Sequence, residues 1–122
     1  MVLHAAPEKL LVDTMKRLLR RGATSSLKKI VDKTHAADLS LVFRSLSQTE
    51  QRKLFGMIAD IEKKGVLLSE LDTDIFLDLA KSLDVATLAE TFEQMPTDDV
   101  ADLVGHLPQE TAEEILQRMQ HE

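Results

Sequence analysis

LDTDIFLDLAKS (71–82), LDVATLAETFEQ (83–94), MPTDDVADLVGH (95–106) and LPQETAEEILQR (107–118) are consecutive segments of twelve residues, and Met119 opens the next. Each starts on a large apolar residue: Leu71, Leu83, Met95, Leu107, Met119. The residue that follows is Asp72, Asp84, Pro96 or Pro108. Asp is a good helix N-cap, and Pro is tolerated only at or before the first turn. Inside the segments the apolar residues keep helical spacing. Val100, Leu103, Val104 and Leu107 fall at i, i+3, i+4, i+7, and Ala112, Ile115, Leu116 and Met119 repeat the pattern. Phe76, Leu79, Ala80 and Leu83 keep the register with small changes, as do Leu88, Thr91, Phe92 and Met95. The reading is an amphipathic helix of about ten residues, restarted every twelve, with no strand-like alternation. So short a helix cannot bury its stripe alone. Stacking neighbours in alternating directions buries it continuously, so the expected fold is all-α, an α-solenoid of short antiparallel helices.

Upstream the pattern is looser. Glu8 to Arg21 reads as a basic amphipathic helix with Leu10, Leu11, Thr14, Met15, Leu18 and Leu19 on one face and Gly22 as its C′ residue. Ser25 or Ser26 caps a short helix, Leu27 to Lys33, and Ala36 to Leu46 reads as the next. Ser47-Gln48-Thr49-Glu50 is a capping box opening a helix through about Ile61, and Gly65 is read as a break before the repeats. The expectation is seven or eight helices in one domain spanning 1–122, with no linker.

Composition narrows the function classes. With 43% hydrophobic and 30% charged residues the chain is globular in type. Aromatics are 3% with no Trp or Tyr, which argues against a base-stacking surface, so no nucleic-acid partner is expected. No Cys is present for disulfides or thiolate metal sites. No apolar run reaches the roughly 20 residues of a membrane span, and Met1 to Met15 lacks a signal peptide's pattern. The expected location is cytoplasmic, reaching the inner face of the membrane only through a partner or further domains, without direct insertion.

The net charge of −6 is unevenly spread. Residues 1–34 hold eight Lys/Arg against three acids, a net of +5, which leaves −11 for residues 35–122. From Asp84 onward ten acids face one base, Arg118. The acidic end suits cations or a basic partner; it is equally the composition of a solvated helical surface. The basic helix with Lys9, Lys16, Arg17, Arg20 and Arg21 reads first as the opening helix of the stack, its C-terminal cations favoured by the helix dipole. Its other reading is a surface for anionic lipid or nucleic acid.

The repeat register places Asp74/Asp78, Ala86/Glu90, Asp98/Asp102 and Glu110/Glu114 in equivalent positions, opposite the apolar stripe. Residues at i and i+4 share a helix face. In an alternating stack Asp74, Asp78, Asp98 and Asp102 would line one surface, and Glu90, Glu110 and Glu114 the other. Magnesium keeps most of its waters and takes one or two carboxylates, a use that an Asp pair one turn apart fits. Acids favoured by the dipole in a first turn explain Asp74, Asp98 and Glu110 equally well without a ligand. His4, His35, His106 and His121 form no ligand spacing; His106, after Gly105, suits a helix end. No nucleophile–base pairing or Gly-rich phosphate loop appears, so an enzyme is not expected.

His35-Ala36-Ala37-Asp38-Leu39, the capped short helices, and above all 95–104 (MPTDDVADLV) and 107–116 (LPQETAEEIL) resemble the cytosolic N-terminal domain of MgtE-type magnesium transporters over roughly residues 27–119. The middle domain of the flagellar motor switch protein FliG has a related helical fold. The resemblance implies a right-handed superhelix. It further implies a regulatory domain that docks through bound Mg2+ on a neighbouring CBS domain, in cis or trans, below a transporter membrane domain. By motif the ligands implied are Asp98 and Asp102, with Asp99 a weaker candidate, and Asp74, Asp78, Glu110 and Glu114 belong to the docking face. At the place of a third family acid stands Val66, which binds no cation. The alternative is a FliG-like, metal-independent protein–protein scaffold.

Overall fold

The computed structural model describes residues 5–120, and its described residues form nine helices and no strand. They are α1 (Ala5–Arg21), α2 (Thr24–Lys33), α3 (Ala36–Phe43), α4 (Gln48–Met57), α5 (Ile61–Glu70), α6 (Thr73–Ser82), α7 (Val85–Glu93), α8 (Thr97–His106) and α9 (Gln109–Gln120). His4 and His121 lie outside the described residues. Among those residues no helix is long and apolar enough to cross a membrane.

From α6 onward each helix begins where the twelve-residue register puts it, with Asp72, Asp84 and Pro96 as N-caps. The cap side chains are not all used on the orphan backbone N–H groups of the helix start. Asp84 accepts a hydrogen bond from the Thr87 N–H at 2.8 Å. The Asp72 carboxylate instead takes a two-pronged bond from the Arg44 guanidinium, with both contacts at 3.1 Å, and so fastens the turn after α3 to the start of α6. Asp60 caps α5 through the Glu62 N–H at 3.0 Å. Asp60 therefore belongs to the same register, one repeat ahead of Asp72, and Leu67, Leu68 and Leu71 form its stripe, all buried.

Odd-numbered helices make one continuous layer: α1 packs on α3, α3 on α5, α5 on α7 and α7 on α9. On the other side α4 packs on α6, while α6 and α8 are not among the closely packed pairs. The layers meet over Leu27, Leu39, Leu54, Leu67, Phe76, Leu88 and Leu103, with Phe43, Phe55, Phe76 and Phe92 all enclosed. Full burial of one such side chain contributes about 1.5–3 kcal/mol. Thr91 interrupts the stripe of α7 without leaving a polar atom stranded, because its hydroxyl donates to the Thr87 carbonyl at 2.9 Å. The loops are held by lysines. Lys63 donates to the Val31 and Asp32 carbonyls at the end of α2, and Lys28 reaches the Met57 carbonyl at the end of α4.

Several boundaries differ from those read in the sequence. Gly65 is no break: it lies buried in the middle of α5, and the real interruption is Ile58-Ala59-Asp60 after α4 ends at Met57. A Cβ at Gly65 would come within 2.5 Å of Met95 Cγ and 3.2 Å of its Sδ, so this glycine is there for close approach of α5 to α7. With α5 resolved from α4, nine helices replace the seven or eight expected. The second helix starts at Thr24 behind Ala23, with neither Ser25 nor Ser26 capping it, and α3 ends at Phe43, after which a turn carries the chain to Leu46. Gly22, at φ 72°, does terminate α1. Leu10 is 65% exposed and lies off the buried face of α1 that Met15 anchors. Leu116 is likewise 42% exposed, which leaves Ile115 as the buried residue of α9.

The predicted capping box is complete: Glu50 N–H donates to Ser47 Oγ at 3.2 Å and Ser47 N–H to Glu50 Oε1 at 2.9 Å. Ser47→Ala should lower stability by about 1 kcal/mol, as a lost N-cap does, measured by urea denaturation.

Candidate functional site

Asp98 and Asp102 occupy the outer face of α8, one turn apart, on the side away from buried Val100, Leu103 and Leu107. Asp98 is exposed and Asp99, beside it, is half-buried. The Asp102 side chain is 78% exposed and lies 4.0 Å from His106 Nε2, so a protonated His106 can pair with it across the last turn. Asp98 and Asp99 sit in the first turn of α8, where the helix dipole already favours anions. Asp102, deeper in the helix, has no such help.

The other register-equivalent acids have diverged in use. Asp74 is exposed at the start of α6, but Asp78 is half-buried and accepts a hydrogen bond from Gln48 Nε2 at 3.0 Å, which joins α6 to α4. Glu110 is exposed in the first turn of α9. Glu114 is exposed too and shares a shallow depression with Val85, Gln117 and Arg118. Glu90, also exposed, belongs to α7. Since α6 and α8 do not pack closely, Asp74/Asp78 and Asp98/Asp102 remain two separate pairs. Among the described residues no three His, Asp or Glu side chains converge on a point where a metal ion could sit. α8 by itself offers two exposed carboxylates, Asp98 and Asp102. Val66 is 50% exposed on α5, an outward apolar residue.

Two carboxylates are held below their ordinary range. For Glu50 the main cause is the Ser47 backbone hydrogen bond, with Arg20 and Lys16 adding attraction. For Asp84 it is hydrogen bonding from the Thr87 hydroxyl and N–H, with a smaller pull from Arg118. A lowered folded-state pKa adds stability above the unfolded value and loses it as pH falls through the folded one. The urea midpoint should therefore be flat from neutral pH down to about 5 and fall below roughly pH 4. Ser47→Ala should make the part of that fall due to Glu50 shallower.

The sequence did not signal an open, mainly apolar cleft of about 830 Å³ between the end of α6 and the turn joining α8 to α9. Leu77, Ala80, Leu83, Val85 and Leu107 line it, with Lys81 and His106 among its polar walls. It lies beside α6 and α8, which do not pack closely, whereas α4 and α6 do. Leu83, the first residue of its repeat, and Val85 are left half-buried on its wall.

The chain matches a family profile, that of the MgtE intracellular N domain, over residues 34–122, which include α8 and α9 with their outward acids. The chain belongs to that family. The match begins just ahead of α3 and takes in the whole repeat array, so every acid of the candidate site lies within the MgtE N region, and α1 and α2 precede it. No curated protein and no solved structure matches the chain. Family membership fixes the domain type, an intracellular domain of MgtE-type transporters.

Proposed function

We propose that this MgtE N domain is a magnesium-responsive regulatory element, not an enzyme, which docks on a neighbouring CBS domain or transporter membrane domain through divalent cations held partly by Asp98 and Asp102. The observation that carries the reading is the exposed Asp98/Asp102 pair, one turn apart on the most acidic stretch of the chain. Its two carboxylates leave coordination positions open, and a docked partner can fill them. Asp99 contributes charge from its half-buried position; Asp74 and Asp78 on α6 extend the acidic docking face, and Glu110 and Glu114 add acidic surface on α9. With Mg2+ bridging two acidic surfaces the docked state is favoured; without it their repulsion favours separation. Val66 narrows this chain's share of the ligands to α8.

Calorimetric titration against an MgtE CBS pair tests the reading. Docking should be at least about tenfold tighter in MgCl2 than in NaCl of equal ionic strength, a difference of about 1.4 kcal/mol. Asp98→Ala/Asp102→Ala should remove the difference. Equal affinity in both salts would reject it and favour a FliG-like scaffold without metal. The apolar cleft beside α6 suits that second reading, since it is shaped for side chains of a protein partner and offers few ligands to a cation.

A further inference from the structure

The odd-numbered layer has two ends, α1 and α9, and they carry opposite charge. On α1, Lys9, Arg17 and Arg21 are exposed, and no ion pair to any of them forms among the described residues. Arg20 is turned instead toward Glu50, 3.6 Å away. At 3.6 residues per turn Lys9, Leu10, Arg17 and Arg21 fall within an arc of about 120°, and Asp13 is the one acid inside it. Leu10 stands in this arc at 65% exposure, although Leu11, Leu18 and Leu19 of the same helix pack against the core. An exposed leucine among unpaired cations is not needed to close the stack, because Met15 and Leu27 already do that.

We infer that the outer face of α1 is a docking surface for an anionic lipid bilayer. Headgroup phosphates take the guanidinium and ammonium groups, and the acyl boundary just beneath takes Leu10. The long Lys and Arg stems lie along the same boundary while their charges stay in the headgroup layer. Nucleic acid would use the cations but gives Leu10 no apolar neighbour, and the chain has no Trp or Tyr for stacking on bases. The charge distribution orients the contact. Residues from Asp84 onward hold ten acids and one base, so an anionic surface attracts α1 and repels α8 and α9. The Asp98/Asp102 face then points away from the lipid, open to a partner domain. The inference stands apart from the cation reading, since it uses α1 and the cation reading uses α8.

The test is co-sedimentation of the full chain with unilamellar vesicles in magnesium-free buffer. Vesicles of phosphatidylcholine alone are compared with vesicles of phosphatidylcholine and phosphatidylglycerol in equal parts. The chain should sediment with the mixed vesicles only, and less so as salt rises. Each Lys or Arg near such a surface is worth about a factor of five, so Lys9→Gln/Arg17→Gln/Arg21→Gln should weaken binding about a hundredfold. Leu10→Ser should weaken it roughly threefold to tenfold. Far-UV circular dichroism checks that both variants stay folded; their positions are exposed. Failure of the wild-type chain to bind the mixed vesicles, or an undiminished affinity in the triple variant, would overturn the inference. So would duplex DNA binding that matches vesicle binding and is unaffected by Leu10→Ser, because it would make the face a general polyanion surface.

Discussion

Phe92→Ala is expected to destabilise the fold by about 3–5 kcal/mol and to lower its melting temperature by roughly 10–20 °C. Phe92 is 1% exposed in α7, the helix that packs on both α5 and α9. Truncating it removes the ring's transfer free energy and leaves a cavity that rigid neighbours close only in part. The site also sits where repeat cooperativity is transmitted. In a stack whose units contact only their neighbours, weakening α7 uncouples α9 from the rest. Urea denaturation followed by circular dichroism should show a lower midpoint and, if α9 melts first, a broadened transition. A loss below about 1 kcal/mol would mean that Phe92 is not enclosed as described.

Gly65→Leu should cost about 2–3 kcal/mol, although leucine is the better helix former by close to 1 kcal/mol. The propensity gain is local, whereas the clash is with a packed helix: the first added carbon already falls 2.5 Å from Met95 Cγ. Gly65→Ala, which needs Met95 to shift its Cγ as well as its Sδ, should cost less, about 1 kcal/mol. Met95→Ala should restore at least half of the stability lost in Gly65→Leu, giving a clear coupling in a double-mutant cycle. Additive losses in that cycle would contradict the α5–α7 contact.

Legibility in the sequence followed the strength of each local signal. The twelve-residue register, with Asp or Pro caps and an i, i+3, i+4, i+7 stripe, located α6 to α9 because both rules pointed to the same boundaries. Its first copy was hidden. Asp60 caps α5 and Leu67, Leu68 and Leu71 are its stripe, but Lys64 stands where later repeats have an apolar residue, and Gly65 reads locally as a breaker. Only the approach of α7, a contact distant in sequence, explains that glycine. Leu10 failed for a related reason: periodicity describes a wide apolar arc, and packing on α2 and α3 chose the part centred on Met15. On the candidate site, spacing alone put Asp98 and Asp102 on one outward face. It gave no hint that Asp78 would be engaged by Gln48 or that α6 and α8 would part around an apolar cleft, since both depend on how successive helices tilt.

The proposed function rests on α8 presenting a carboxylate pair to magnesium. An NMR amide titration of the chain with MgCl2, against NaCl at matched ionic strength, tests it most directly. Saturating, magnesium-specific shifts are expected, confined to α8 around Asp98 and Asp102 and lost in Asp98→Ala/Asp102→Ala. Identical responses to the two salts, or magnesium shifts that survive in the double variant, would contradict it.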